Sequence, residues 1–262
     1  MSKSALIWGG LLILIGILLI LNNLGIIEAN VWGIIWALLL IALGVWFLVG
    51  SSMRRSRKVT QADIPYLGAR EARLVFRHGA GKLVLKAGSN DQILISGQFA
   101  GGVEINEQKG NEIHQVTLQV PGSYFPVGWL PDGALDWTVD LKRGLLFELA
   151  FETGAQETYL DLTDLMVRSL RLSTGASTSR IQLPANAGNT RVELKAGAAT
   201  FEMIVPVGVA ARIRSSSGLS TLNVDSIRFP RKNGGFQSSD FETAQNRIDI
   251  SIESGLATVN IR

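Results

Sequence analysis

The chain has 262 residues, of which 47% are hydrophobic and only 18% are charged, an apolar balance for a soluble protein. Its net charge of +3 comes from residues 1–58, which hold five bases and one acid; the remaining 204 residues hold 20 bases and 21 acids and offer no basic face for nucleic acid. The absence of cysteine excludes disulfides, thiol nucleophiles and cysteine-ligated metal.

The N-terminal segment, residues 1–50, holds two long runs without a charged residue. Residues 5–21 and 31–50 would form helices about 25 Å and about 30 Å long, close to the length needed to cross the apolar part of a bilayer. A short polar stretch separates them. A cleaved signal peptide is the alternative, but only Lys3 precedes the first run and the second run is a full span. A transmembrane helical hairpin is therefore predicted.

A basic linker, residues 51–70, follows the second predicted helix. Glu28 is the only charged residue between the two helices, whereas the linker begins with four bases. Because positively charged flanks stay on the cytoplasmic side, we expect both termini and the rest of the chain to be cytoplasmic, at the plasma membrane. The same bases are candidate contacts for anionic lipid headgroups, at about 1 kcal/mol each. They are Arg54, Arg55, Arg57 and Lys58.

A glycine-centred repeat dominates the chain from residue 71 onward. Six segments share it: FRHGAGKLVL, FETGAQETYL, LSTGASTSRI, LKAGAATFEM, SSSGLSTLNV and IESGLATVNI. Three successive spacings between their glycines are 21, 22 and 21 residues, which is typical of a repeat architecture. The central glycines are Gly79, Gly154, Gly175, Gly197, Gly218 and Gly255.

Alignment of the six segments on their glycine predicts strands on both sides of it. The positions five and three residues before it and four and six residues after it are apolar in 21 of 24 cases. This is the period-2 pattern of strands with one buried face. The pattern changes phase at the glycine, which predicts a bend with one extra residue, where glycine tolerates a positive φ. A ladder of hydroxyl hydrogen bonds, with simple β propensity as the alternative, is predicted for Thr178, Thr200, Thr221 and Thr258.

Each unit is therefore predicted to be a strand, a glycine bend and a second strand. One unit cannot bury its own apolar face, so the units stack, as in a β-solenoid or a layered open sandwich. This all-β domain, 71–262, includes a protruding loop at about 226–246 and an irregular aromatic-rich segment at about 97–148. The irregular segment is predicted to cap one end or, alternatively, to form a binding surface with Tyr124, Phe125, Trp129 and Trp137.

Catalytic and metal-binding motifs are missing from the sequence, which has no P-loop, GxSxG or HExxH motif. His78 directly precedes a repeat glycine and is predicted to be a turn residue, and His114 has no recurring acidic partner. Asp161 and Asp164 supply too few oxygens for a calcium site. We therefore predict no enzymatic activity, no cofactor and no metal; a hydrolase built on the acidic residues is the disfavoured alternative.

Two stretches of the sequence resemble known families. GGLLILIGILLILNNLGII followed by WALLLIALGVWFLVG resembles the LiaI–LiaF-like transmembrane region of bacterial envelope-stress proteins. Residues 135–184, from LDWTVDLKRG to STSRIQLP, resemble the adhesin-like toastrack β-repeat of LiaF-like proteins. The resemblance implies a membrane-anchored regulator that restrains or tunes a stress-sensing histidine kinase system, and it implies no catalytic residues.

These observations leave three functions open. The leading hypothesis is a non-enzymatic regulator or sensor scaffold of envelope-stress signalling whose β domain contacts a histidine kinase, a sister membrane protein or itself. An envelope-facing adhesin or glycan-binding module is the alternative and needs the opposite topology. A self-associating structural scaffold is the third, because the last repeat ends at Arg262 without a cap and uncapped β stacks pair with another copy. No nucleic-acid partner is expected.

Overall fold

The computed structural model describes residues 59–110, 112–121 and 135–262, together with Trp36 and Leu40. Those two residues are helical and each is 61% exposed. The rest of the predicted membrane hairpin lies outside the described residues, as do Arg54, Arg55, Arg57 and Lys58. Within the described part of the chain, no helix combines the length and the apolar character that a membrane span needs.

The described β structure comprises thirteen strands in one sheet. They are β1 (Val59–Pro65), β2 (Glu71–Ala87), β3 (Ile93–Ala100), β4 (Glu104–Lys109), β5 (Ile113–Gln119), β6 (Trp137–Leu141), β7 (Leu146–Asp161), β8 (Met166–Gln182), β9 (Asn189–Ile204), β10 (Ala210–Val224), β11 (Arg231–Lys232), β12 (Gly235–Gln237) and β13 (Arg247–Ile261). The main path runs β1-β3-β6-β2-β7-β8-β9-β13-β10-β12-β11, with β5 beside β2 and β4 beside β5.

Six long strands form a parallel stack in the order β2, β7, β8, β9, β13 and β10. The 16-residue strand β7 pairs with β8 along its length, with one shift of register after Phe147, yet only residues 162–165 connect its end to the start of β8. A straight strand of that length would extend about 50 Å, which four residues cannot span. Each strand therefore bends back on itself, and its second half replaces the long crossover that parallel strands normally need.

The bend lies at the repeat glycine, and the predicted alternation is confirmed on both sides of it. Of the 24 repeat positions predicted to face the core, all but three are buried. The three exceptions all belong to β10, which has a neighbour along its whole length on one side only. They are Ser215, Leu222 and Val224. The neighbouring strand, and not the repeat sequence alone, therefore completes the core.

The last repeat does not lie at an end of the stack, as its place in the sequence suggested. β13 is inserted between β9 and β10 and pairs in parallel with both. The connection 205–209 between β9 and β10 crosses two strand spacings, about 10 Å, which five residues readily span. This leaves a gap that β13 fills. The prediction that the last repeat is an uncapped edge strand is therefore wrong, while self-association itself stays a prediction.

The segment at about 97–148 contains regular strands that close one end of the stack. β5 pairs with the first half of β2 and β6 with its second half, both in parallel. β3 pairs with β6, and β1 pairs with β3, both antiparallel. β1 therefore begins inside the segment predicted to be a linker. These pairings agree with the prediction of a cap and extend it to residues earlier in the chain.

The predicted protruding loop at about 226–246 packs on the sheet instead. Its strands β11 and β12 form a short hairpin, and β12 pairs with Arg212 and Ile213 of β10. Phe229 and Phe241 are 1% and 3% exposed. Burial of the two phenylalanine rings holds the segment against the stack by the hydrophobic effect. The segment is mostly polar in composition, and this led to the prediction of a protruding loop.

Candidate functional site

The six repeat glycines lie next to one another across the stack. A side-chain carbon added at Gly197 would lie 2.9 Å from the carbonyl oxygen of Gly175, and one at Gly255 would lie 3.0 Å from that of Gly197. At Gly154 the clash with the carbonyl oxygen of Gly79 would be closer still. Only Gly79, the first of the stack, has open space around the added atom. Close approach of the backbones at the bend therefore favours glycine at Gly154, Gly197 and Gly255, whereas the space is less tight at Gly175 and Gly218.

The expectation of a positive φ at the repeat glycines is wrong. Among the described residues, positive φ occurs at other glycines, including Gly144, Gly188 and Gly208 in the connections between strands. The repeat glycines remain in extended conformations within their strands. The phase change that the sequence displayed is a real bend, but steric space beside the neighbouring strand explains the residue type.

The predicted ladder of threonine hydroxyl hydrogen bonds is not formed among the described residues, although the four threonines do form an exposed row. Thr178, Thr200, Thr258 and Thr221 lie in register on adjacent strands. In the described structure no hydroxyl of this row hydrogen-bonds another, so the alternative of simple β propensity accounts for them.

Rows of alternating charge cover the outer faces of the stack. Arg77 Nε donates to Glu152 Oε2 at 2.9 Å, and Lys195 Nζ lies 2.9 Å from Glu253 Oε2, which raises the pKa of Lys195 above its ordinary value. These pairs are exposed, so each contributes little to stability. Their effect is to leave the outer faces without a large patch of one sign.

His78 is buried in the core, which contradicts its predicted place in a turn. Its Nε2 donates to the carbonyl oxygen of Leu135 at 2.6 Å, and its ring packs against Trp137 with 4.7 Å between centroids. Nδ1 meets the side-chain amide of Gln156, whose other end lies 2.7 Å from Thr158 Oγ1. The position before the glycine simply continues the inward alternation of β2.

Burial lowers the pKa of His78, although hydrogen bonds to Gln156 and Leu135 and the charge of Asp136 act in the opposite direction. In the structure Gln156 Oε1 faces Nδ1, which suits a charged ring; a neutral ring protonated at Nε2 needs the amide turned so that its NH₂ faces Nδ1. The ring has no access to solvent. The network is therefore structural and offers no position for a substrate.

Of the four residues predicted to form an aromatic binding surface, the structure describes Trp137, and its position does not support that prediction. Trp137 is fully buried, and its ring packs edge-on against Phe99 at 5.1 Å, so it belongs to the core. Tyr124, Phe125 and Trp129 lie outside the described residues. His114 is also buried, and β4 brings Glu107 Oε2 to 3.4 Å from its Nε2, a partner that the sequence did not indicate.

An arginine-lined cleft of about 670 Å³ lies where β8, β9, β13 and β10 begin. No motif in the sequence indicated this cleft. Alignment on the repeat glycine places two of its arginines and one of its acids at the same position, six residues before the glycine, but only the strand order shows that the acid lies between them. We define the arginine cleft by Arg168, Arg191, Arg212, Arg247, Glu242 and Asp249.

Most charges in the arginine cleft already have partners. Arg212 Nη2 donates to Asp249 Oδ2 at 3.2 Å, and Arg247 Nη1 donates to the backbone oxygen of Glu242 at 3.2 Å. Arg168 Nη2 donates to Glu71 Oε2 at 2.7 Å. The side chain of Arg191 makes no hydrogen bond or ion pair with any described residue, although its backbone pairs within the sheet. The cleft can therefore contact one anionic group, and it holds neither a nucleophile nor a free acid–base pair.

Within the described residues, no group of three or more histidine, aspartate or glutamate side chains is placed to hold a metal ion. Asp161 accepts the backbone N–H of Thr163 at 3.2 Å, and Asp164 accepts from Arg143 Nη2 at 3.0 Å. Asp161 therefore caps the turn between β7 and β8, whereas Asp164 forms an exposed ion pair with the preceding turn between β6 and β7.

This architecture, a stack of bent parallel strands that bury one continuous core, defines a β-repeat domain of the toastrack class. The family model described as the N-terminal domain of toast_rack, DUF2154, matches residues 52–204, more than half of the chain. The chain belongs to this family. A second family model, the LiaF transmembrane domain, matches residues 7–62. Together the two matches fit a membrane-anchored protein of the envelope-stress class.

A solved structure shares the fold. A candidate cell adhesion protein from Clostridium sporogenes is 20% identical, with a TM-score of 0.70 over 78% of this chain and 99% of that chain. At this identity the likeness concerns the fold alone. A candidate adhesin from Bacteroides fragilis is 11% identical, with a TM-score of 0.27 over 79% of this chain and 98% of that chain. No curated protein sequence matches the chain.

Proposed function

We propose that the chain is a non-enzymatic regulator or sensor scaffold in bacterial cell-envelope stress signalling. In this proposal two helices hold it in the plasma membrane, and its β domain contacts other proteins in the cytoplasm. The observation that carries the proposal is the succession of a LiaF transmembrane domain and a toast_rack domain in one chain. Shallow grooves on a rigid sheet suit protein contacts better than small-molecule turnover, which needs an enclosing pocket.

The proposed partner is a membrane signalling protein such as a histidine kinase. The arginine cleft is the candidate contact, because Arg191 has no partner among the described residues and arginine binds carboxylates through two parallel hydrogen bonds. An acidic segment of the partner would supply the carboxylate. The four bases Arg54, Arg55, Arg57 and Lys58 support the cytoplasmic orientation, because positively charged flanks stay on the cytoplasmic side.

The first test is of membrane topology. Because the chain has no cysteine, a maleimide can label only a cysteine that is introduced. Ser89→Cys lies in an exposed turn between β2 and β3, and Asn23→Cys in the predicted loop between the helices is the control. A membrane-impermeant maleimide applied to intact cells should label position 23 but should label position 89 only after lysis. Labelling of position 89 in intact cells would overturn the cytoplasmic orientation.

Partner capture is the second test. The full chain, cross-linked in native membranes and purified, should carry a membrane signalling protein with it. Arg191→Glu should reduce that recovery, because it reverses the charge of the unpaired arginine. Lys232→Glu on β11 is the matched control, since it reverses an exposed basic residue outside the arginine cleft. Wild-type protein that brings down no membrane protein, or equal recovery with both variants, would contradict the proposed contact.

An envelope-facing adhesin is the second candidate function. The structural likeness to a candidate cell adhesion protein from Clostridium sporogenes favours it. It requires the β domain outside the cell, so the maleimide experiment decides between the two functions. Labelling of position 89 in intact cells would make external ligands the next subject of study.

A further inference from the structure

One edge of the stack is unlike the other edges in the described structure. On the side away from β13, β12 covers Arg212 and Ile213 of β10, and no described strand pairs with residues 220–224. We call residues 220–224 the β10 edge. A strand with one side uncovered presents a row of backbone donors and acceptors to any strand that can lie beside it.

The core is incomplete under the β10 edge. Leu222 and Val224 occupy repeat positions that are buried in the neighbouring strand, where Val259 and Ile261 are 1% and 2% exposed. In β10 both are only half-buried, because no further strand covers them. Together with Phe236 they line a shallow groove of about 630 Å³. An added strand would bury these apolar side chains as the other strands of the stack do.

The β10 edge also lacks the charges that discourage pairing. β1, at the other end of the sheet, carries exposed Asp63 and ends in Pro65, and β4 carries Glu104, Glu107 and Lys109. Charged residues and proline on an edge oppose the addition of strands. Residues 220–224 read STLNV and hold neither. In an antiparallel pair of β10 edges, no charged side chain of residues 220–224 opposes another.

We propose that the β10 edge pairs antiparallel with the β10 edge of a second copy of this chain. Directly opposed residues point to the same face of a sheet, so the inward residues must oppose inward residues. A two-fold register centred on Leu222 satisfies this: Leu222 opposes its own copy, Ser220 opposes Val224, and Thr221 opposes Asn223. The interface is isologous and closes both cores at once.

Membrane anchoring favours this pairing, because chains held in one bilayer meet at a high effective concentration. The LiaF transmembrane match is the basis for that anchoring. The pairing holds whichever side of the membrane the β domain occupies, so it does not depend on the proposed signalling role. An edge-to-edge dimer would place two stacked sheets side by side.

Site-specific disulfide formation tests the register in a chain that has no cysteine of its own. In the full chain, kept in its membranes, Leu222→Cys places two Cα atoms about 4.5–5.5 Å apart across the two-fold axis, within reach of a disulfide. Thr258→Cys on β13 is the matched control: its copies would be three strand spacings apart, about 14 Å, which is too far. Under mild oxidation, Leu222→Cys should run mostly as a covalent dimer and Thr258→Cys as a monomer.

Three results would overturn the proposal. Absence of a covalent Leu222→Cys dimer would rule out the register. Covalent dimers formed to the same extent by Leu222→Cys and Thr258→Cys would indicate random collision in the bilayer. A disulfide between Leu222→Cys and a different protein would show that the edge accepts a foreign strand. None of these results bears on topology, so failure here is distinguishable from failure of the proposed function.

Charge complementation tests the pairing without a covalent bond. In detergent, Leu222→Lys and Leu222→Glu should each lose the dimer measured by light scattering, because two like charges oppose each other on the axis. An equal mixture of the two variants should recover it. Dimers that persist in both single variants would contradict the interface, and recovery in the mixture would show that both variants are folded.

Discussion

The interior of the strand stack and its two ends carry the same repeat, yet they depend on different physics. Within the stack, Phe201 on β9 is fully buried, whereas Leu222 at the same repeat position on β10 is half-buried. Similarly, Gly154 lies against the backbone of its neighbour, whereas Gly79 has open space. The comparison shows that a repeat sequence specifies a residue's direction, while its neighbours decide what that residue contributes.

The largest expected effect comes from the shared core position. Phe201→Ala should lower the free energy of unfolding by about 3–5 kcal/mol, because it opens a cavity in a packed interior. Leu222→Ala, studied at dilution where the chain is monomeric, should cost about 1 kcal/mol, the usual value for a point mutation. Thermal unfolding of the full chain in detergent measures both, at roughly 2–4 °C per kcal/mol. Equal costs would remove the distinction between interior and end.

The glycine pair gives the next largest effect. Gly154→Ala should destabilise the chain by about 1–3 kcal/mol, because its methyl group overlaps the carbonyl oxygen of Gly79. Gly79→Ala, with nothing near the added carbon, should change stability by less than about 0.5 kcal/mol. The same thermal measurement compares the two variants. If both variants lost stability equally, backbone conformation and not close approach would explain the repeat glycine.

The pH dependence of stability tests the β2 end of the stack. There the buried His78 occupies a repeat position that holds threonine, alanine or serine in the other units. Unfolded His78 binds a proton below pH 6.5, but burial lowers the pKa of the folded ring. The stability that depends on the neutral ring is therefore present above pH 6.5 and is lost as the pH falls below it, by at most about 1.4 kcal/mol per pH unit. The melting temperature of wild type should fall more steeply between pH 7 and 5 than that of His78→Gln; parallel curves would be the contrary result.

The smallest effect is expected on the outer face. Lys195→Gln removes the ion pair with Glu253, but both side chains are more than half exposed and water replaces the lost contact. We expect no resolvable change in melting temperature, in low or high salt. A clear loss at low salt would mean that the charge rows stabilise the stack, in contrast to the core and the bend.

Much of the candidate site could not be predicted from the sequence. The alternation around each glycine predicted which side chains face inward, because strand periodicity is local. The arginine cleft could not be predicted, since Arg191 and Arg212 are brought together with Asp249 only by the insertion of β13. Trp137 was placed on a candidate surface because its aromatic neighbours in sequence suggested one, whereas packing on Phe99 and His78 buries it.

Sequence patterns were enough to predict the class of fold, the glycine bend, the inward positions of each repeat and the family to which the chain belongs. Those properties follow from local spacing and composition. The order of the strands, the burial of His78 and Trp137, and the exposure of the β10 edge are evident only from the folded structure. The physical reason is that pairing joins residues far apart in the chain: β13 lies beside β9 because the backbone connections leave a gap there, and no local pattern in the sequence records that gap.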